Sequence, residues 1–563
     1  MEESINGSSD IQKVELIITN VSKNKTKWKG LGYRSKLAYL KSIQSNLERY
    51  AKEFTDSQTK SRGAVPGGPT FNIEAAAWVT GAIYLGTAVH ALTDTYSLLA
   101  KNGSYPRATK ERQRHDGQVI KTVFPRCARD KMLYPGFRAE IWLEKGAKGT
   151  QGYIYENSKG GCCAVFGAGN YEAPIDVMTK MFVENKVVIF KHNPVNEGVG
   201  VVLRKIFKNL IQDGYLYFLA GGSDVGKKIL SHPDITDAVL TGGKDTYNRI
   251  VWGATSEEQE RNRKSNHKVF NKRLDAELGG VTPMIIVPGK WTQKEINHQA
   301  SQISATKHAN GGHACISPQV VIVDDDWPQK DLFLNRLRHY LAEAPTEVCY
   351  YPGAMKTYEK FRMNYPQAQI VGQKKKYFEK QLNPLFIPEV EVDSLALKEE
   401  AFTMVLAQTS IKETGGDPPK FLNKAVQFCN EKVFGDLACS VIVDPRTARE
   451  MGSGIDDCIA KLEYGIIGVN IWSAFIAIFP QLTWGAFPGN TASNIESGVG
   501  RLGNSYMFDQ IEKSVLWTPM VSSIHLQNTR PRDLKTVQRL AYYATRPSWI
   551  RLLKLWGSAI FRI

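Results

Sequence analysis

Two periodicities alternate along this chain. Between residues 31 and 54, apolar residues recur at three- and four-residue spacing among many lysines, which predicts surface helices. The stretch Ser61-Arg-Gly-Ala-Val-Pro-Gly-Gly-Pro69 reads as a turn-rich linker to a second helical block. Residues 140–156 look like two strands around a glycine-containing turn. After residue 160 the pattern becomes short apolar runs separated by helical stripes. Strands are expected at 162–166, 186–191, 215–219 and from 238, with a helical stripe over 198–211. Strands joined by helices of this size imply right-handed crossovers and a parallel sheet covered on both faces. Further runs at 283–287, 319–323, 402–407, 438–443 and 465–470 predict a second region of the same kind. The fold class is therefore α/β, with two parallel-sheet domains and a β-hairpin.

Composition narrows the function classes. A chain of 563 residues with 42% hydrophobic content has room for two to four domains with large cores. The net charge of +16 raises a nucleic-acid or membrane partner. The excess is spread along the chain, with no zinc-finger spacing and no basic arm, so no nucleic-acid partner is expected. Eight unevenly placed cysteines, at 127, 162, 163, 315, 349, 429, 439 and 458, suit reduced thiols better than a disulfide framework. With a polar, acidic amino terminus, this predicts a cytoplasmic protein. Residues 75–92 and 464–495 lack Asp, Glu, Lys and Arg and reach bilayer-spanning length, yet their glycines, prolines and polar residues suit buried core better. The charged segment at 256–268 reads as a solvated helix or loop.

The candidate chemistry centres on Cys315 in Asn310-Gly-Gly-His-Ala-Cys315, which follows Glu277-Leu-Gly-Gly280. Glycines let a thiol be presented from a tight loop, and a distant Glu can activate the water that releases a thioester. A cysteine alone is more often a small core residue. The surrounding segments decide between the two. Phe166-Gly-Ala-Gly-Asn170, Val187-Val-Ile-Phe-Lys191, Leu240-Thr-Gly-Gly243 and Glu399-Glu-Ala-Phe402 occur in the order used by aldehyde dehydrogenases, and the chain resembles a long, atypical branch of that superfamily.

The resemblance implies a role for each position. Cys315 would be the nucleophile, Asn170 an oxyanion donor and Glu277 the general base. Lys191 would hold the adenosine ribose, Thr241, Gly242 and Gly243 would form the turn below the nicotinamide, and Glu400 with Phe402 would clamp the nicotinamide ribose. The cofactor would be NAD or NADP, the substrate a small-molecule aldehyde and the assembly a homodimer or homotetramer. Domains implied in this way are helical segments over 1–135, a bridging hairpin over 136–158, a dinucleotide-binding domain over 159–276 and a catalytic domain over 277–470. Residues 471–563 would form a substrate-entrance loop, an interface segment and a tail. The missing Gly-x-Gly-x-x-Gly fingerprint fits this family.

Three departures stand out. Pro194 occupies the place of the usual acidic residue three positions after the lysine, which relieves repulsion of a 2′-phosphate. Gly243 and Tyr247 alter the cofactor turn, and Thr483-Trp-Gly-Ala-Phe-Pro-Gly489 replaces the usual entrance segment. An acylating, acyl-CoA-forming dehydrogenase and a silent scaffold are the competing readings; retention of Glu277 argues against the first and of the whole triad against the second. From Pro547 a helical pattern puts Trp549, Leu552, Leu553, Trp556 and Ile560 on one face and Arg551, Lys554 and Arg562 opposite. That arrangement suits an anionic membrane surface, and equally a helix docked on its own protein.

Overall fold

The strand Cys162–Phe166 runs through the centre of a six-stranded sheet, and its unbroken apolar run matches burial on both faces. The computed structural model describes residues 8–67, 71–172, 174–344, 347–372, 381–522 and 534–561. Val187–Lys191 and then Leu216–Leu219 lie on one side of that strand; Ile235–Gly242 and then Arg273–Leu278 lie on the other, all parallel. Gly498–Val499 adds an antiparallel edge. The order thus reverses beside Cys162–Phe166, and such a reversal opens a crevice at the carboxyl ends of the strands. Lys191, Thr241, Gly242 and Glu277 all lie at those ends.

The second sheet has eleven strands. Its parallel centre runs Ile511–Trp517, Ile466–Val469, Ala438–Ile442, Thr282–Ile286, Pro318–Asp324, Val405–Ile411 and Leu385–Ile387. The strand expected from 402 begins at Val405, because Phe402 takes a left-handed φ of 49° that ends the preceding turn.

Residues 140–156 do not form the expected hairpin. Arg138–Leu143 pairs antiparallel with Val119–Phe124 on one side and Ile511–Trp517 on the other, and Lys110–Gln113 completes the edge. Tyr153–Glu156 is a helical turn. The partner strands come from the stretch before 135, read from sequence as helical, and from near the end of the chain. Local alternation marks a strand but not its partner.

The helix Tyr33–Ser61 buries Leu40, Ile43, Leu47 and Phe54, and Arg62 at its end is itself buried. Residues 68 and 69 of the expected linker lie outside the described residues. Phe71–Ala77, the π-helical Trp78–Ile83 and Tyr84–Asn102 form one continuous helix. It is long and apolar enough to cross a membrane by composition, yet Ala82, Ile83, Leu85, Val89 and Leu92 are packed in the core. Residues 464–495 run as the strand Ile466–Val469, the 3-10 turn Ser473–Ile478 and a loop, also largely buried. The charged stretch forms the helix Ser256–Lys264, opened by a Thr255–Glu258 capping box.

At the carboxyl end, Leu534–Thr545 and Trp549–Phe561 fold back as a helical pair. The rings of Tyr542 and Trp78 lie 6.1 Å apart, Gln44 donates to the Thr545 carbonyl at 2.6 Å, and Arg551 pairs with Glu48. Leu552 and Leu555 are buried, whereas Trp549, Ile550 and Leu553 are 51%, 69% and 64% exposed. The single apolar face expected for Leu552 and Leu553 is therefore split, with Leu552 docked and Leu553 in solvent. The Ile560 side chain and Arg562 lie outside the described residues.

Candidate active site

The helix Gln293–His308 ends in a turn of three successive left-handed residues, Asn310, Gly311 and Gly312, at φ 56°, 64° and 75°. A Cβ on Gly312 would sit 2.6 Å from the Thr403 carbonyl oxygen, so the turn requires glycine there. It fixes His313, whose Nδ1 donates to the Phe402 carbonyl at 2.8 Å, and delivers Cys315 just ahead of Pro318–Asp324. Glu277 comes from the other sheet, in register with Thr241 on the adjacent strand.

The two sheets bring these side chains into contact. Cys315 Sγ donates to Glu277 Oε1 at 2.8 Å. Burial, and then the Glu277 carboxylate, push the thiol well above its ordinary pKa. Burial also raises Glu277, against hydrogen bonds from Cys315 and Trp484. The resting pair is a protonated thiol touching its base.

Asn170 meets the same loop. Its Nδ2 donates to the His313 carbonyl at 3.2 Å, while its backbone oxygen accepts from Arg62 Nη2 at 3.2 Å and Tyr350 Oη at 3.3 Å. Asn310 Nδ2 ties the arrangement together, donating to the His313 carbonyl at 2.9 Å and Tyr350 Oη at 2.8 Å. Cys315, Glu277, Asn170 and Thr241 line one cavity of about 220 Å³. Its other wall is the π-containing helix and the segment from Trp472 to Trp484.

Arg62 is the residue that sequence reasoning missed most completely. Its Nη2 also donates to Gln58 Oε1 and Thr80 Oγ1, both at 3.1 Å, its guanidinium lies 5.2 Å from the Tyr171 ring centre, and its buried Nη1 has no protein partner. An arginine in a turn-rich stretch carries no local sign of such a role. Tyr84 and Tyr171 reach the cavity in the same unheralded way, whereas Trp484 comes from the segment expected at the entrance.

Lys191, Gly242, Gly243, Glu400 and Phe402 stand outside that cavity. Glu400 is half-buried, its buried Oε1 has no partner among the described residues, and it lies so close to Gly279 that a Cβ there would come within 1.9 Å. Burial and Glu277 push Glu400 up to about 8, against Lys307. Phe402 packs edge-on against Tyr351 at 4.8 Å. Gly243 opens the helix Lys244–Val251, and nothing lies within 4 Å of where its Cβ would be. An orphaned carboxyl oxygen, bare backbone and an open helix N-terminus fit a ribose-phosphate ligand. Lys191 ends its strand and donates to the His192 carbonyl at 3.0 Å; burial lowers its pKa, opposed chiefly by Glu197.

Glu197, in the 3-10 turn Pro194–Val199 and three positions beyond Pro194, acts electrostatically on Lys191, and its Oε1 accepts the Gly221 N–H at 2.9 Å.

Residues 150–352 match the model of the aldehyde dehydrogenase family. One relative, the N-succinylglutamate 5-semialdehyde dehydrogenase of Sphingopyxis alaskensis, is 25% identical over 187 residues, 32% of this chain and 35% of its own length. The alignment thus spans about a third of that relative. Solved structures share the fold more widely. The gamma-glutamyl-gamma-aminobutyraldehyde dehydrogenase of Burkholderia cenocepacia has a TM-score of 0.60 at 15% identity, covering 91% of this chain and 88% of its own. The NADP-dependent glyceraldehyde-3-phosphate dehydrogenase of Bacillus halodurans, solved with NADP, has 0.59 at 15%, covering 90% and 91%. An indole-3-acetaldehyde dehydrogenase solved with NAD+ has 0.58 at 17%, covering 90% and 89%. The family match contains Asn170, Lys191, Glu277 and Cys315, and the fold of these solved dehydrogenases extends over about nine-tenths of the chain.

Proposed function

We propose that the protein oxidises an aldehyde to a carboxylic acid with NAD or NADP. The observation that carries this is the 2.8 Å contact between Cys315 Sγ and Glu277 Oε1. Glu277 takes the thiol proton as the sulfur attacks the aldehyde carbon, forming a C–S bond and an alkoxide. The Asn170 side-chain amide and the Cys315 backbone N–H are the donors for that oxyanion, the Asn170 amide exchanging its His313 partner for it. Lys191, Glu400 and Phe402, with the backbone of Thr241, Gly242 and Gly243, would hold the dinucleotide, which supplies the two-electron acceptor when bound. Once the carbon is oxidised to a thioester, Glu277 passes its proton to solvent and, as a carboxylate again, takes a proton from the water that attacks the thioester, which releases the acid and frees Cys315.

Cofactor reduction by the purified protein across a panel of aldehydes, with NAD+ or NADP+ and Cys315→Ala as control, tests the reading. No reduction with any aldehyde would sink it. Assembly and location belong to the same proposal. Lys110–Gln113 is an exposed sheet edge, suited to pairing in a homodimer or homotetramer. Eight free cysteines suit the cytoplasm. The outward Trp549, Ile550 and Leu553, on helices with five cations and no acidic residue over 534–561, suit peripheral contact with an anionic membrane.

A further inference from the structure

The cavity above Cys315 contrasts sharply with the charge of the chain. Although the protein carries a net charge of +16, no Lys or Arg is among the residues lining this cavity. Its titratable groups beyond Cys315 are chiefly carboxyls: Glu172, Asp176, Glu277 and Glu347 all line it. Burial, and then Glu277, push Asp176 up to about 7 against the charge of Lys180, and burial pushes Glu347 up to about 8 against a hydrogen bond from Asn72. The buried cations Arg62, Lys180 and Lys307 are engaged elsewhere, Arg62 with Gln58, Thr80 and the Asn170 carbonyl, Lys180 with Glu184 and Asp275, Lys307 with Ser317 Oγ and the Pro318 carbonyl. Most of the remaining wall is apolar, including Val79, Ile175, Phe475, Ile476, Phe479 and Leu482. At about 220 Å³ it exceeds the ~150 Å³ apolar cavity that holds benzene.

Resting on the dehydrogenase reading above, we infer that the substrate is an uncharged apolar aldehyde, fatty or aromatic, and that aldehydes bearing a carboxylate or phosphate are poor substrates. An anionic group would lose its hydration here and find carboxyls instead of a counter-ion. Each methylene buried against the wall gains binding that a carboxylate end forfeits. The class thus differs from the charged semialdehyde and phosphorylated aldehyde in the names of two of the relatives.

The test is kcat/KM of the full chain for straight-chain aldehydes of increasing length, with hexanal set against 6-oxohexanoate, which differs by one terminal carboxylate. The expected result is a rise of about three- to tenfold per methylene until the cavity is filled, and a preference of about a hundredfold or more for hexanal. Ala477→Arg, which adds a cation to the lining, is expected to narrow that preference in a variant whose unfolding matches wild type. A flat length profile with propanal still oxidised, equal use of 6-oxohexanoate by wild type, or an unchanged preference in folded Ala477→Arg overturns the inference and leaves the dehydrogenase reading standing. Oxidation of no aldehyde removes both.

Discussion

Cys315 Sγ lies 2.8 Å from Glu277 Oε1, although the two residues come from different sheets and are 38 positions apart. Both groups have raised pKa values, Cys315 through burial and Glu277, Glu277 through burial. Protonation of Glu277 removes the base, and its raised pKa moves that loss to higher pH. The acid limb of kcat/KM is therefore expected above the ordinary carboxylate range and should vanish in Glu277→Gln. That variant should lose about 10²- to 10⁴-fold in turnover while accumulating a thioester visible by mass spectrometry. A wild-type limb at the ordinary carboxylate pKa would contradict this.

Arg62 reaches Asn170 through its backbone carbonyl. Arg62→Met is expected to lower kcat by about ten- to a hundredfold through misplacement of that loop, with partial recovery in Arg62→Lys. Active sites counted by Cys315 alkylation separate this from simple unfolding. A fall in that count with unchanged turnover per site would assign Arg62 to stability alone.

The Glu197 carboxylate acts on the charge of Lys191. A 2′-phosphate bound there would face like charge, so Glu197→Gln should raise the NADP+ to NAD+ ratio of kcat/KM by about tenfold. An unchanged ratio would place the carboxylate outside the ribose site.

Glu347 is buried against Asn72, at 2.5 Å, and burial pushes its pKa up to about 8, from an ordinary 4.5. Between those values the folded protein holds a proton that the unfolded chain releases, so folding stability falls as pH rises through the window. Glu347→Gln, which keeps an acceptor for Asn72, should flatten that fall. Denaturant midpoints at pH 5, 6.5 and 8 check it, and parallel curves for the two proteins would refute it.

Trp549, Ile550 and Leu553 point away from the protein while Leu552 and Leu555 dock the helix. Co-sedimentation with anionic vesicles should weaken with salt and fail in Ile550→Glu/Leu553→Glu, with the helix still docked. Equal recovery of wild type and the double variant would exclude this face.

What could be read directly from the sequence was whatever a short window encodes. Runs such as Cys162–Phe166 and Ala438–Ile442 are apolar on both faces, so they mark parallel strands wherever they are placed. The glycines before Cys315 likewise mark a tight turn, because φ values above 60° at Gly311 and Gly312 are a property of the local backbone. Motif order then identified Asn170, Lys191, Glu277 and Glu400 as candidates.

Partnership was not readable in that way. Arg138–Leu143 looks like half of a local hairpin, yet it pairs with Ile511–Trp517, since strand register depends on buried faces that meet only in the folded sheet. Spacing along the chain points to Pro194 for the position after the lysine, whereas the carboxylate whose charge acts on Lys191 is that of Glu197, in the 3-10 turn. Arg62 and the cavity wall from Trp472 to Trp484 depend on the same assembly. The sequence determined which groups are present and which segments are strand or turn. Only the tertiary structure decided which groups meet, because burial, and the pKa shifts that follow from it, exist only after the two sheets have closed around Cys315.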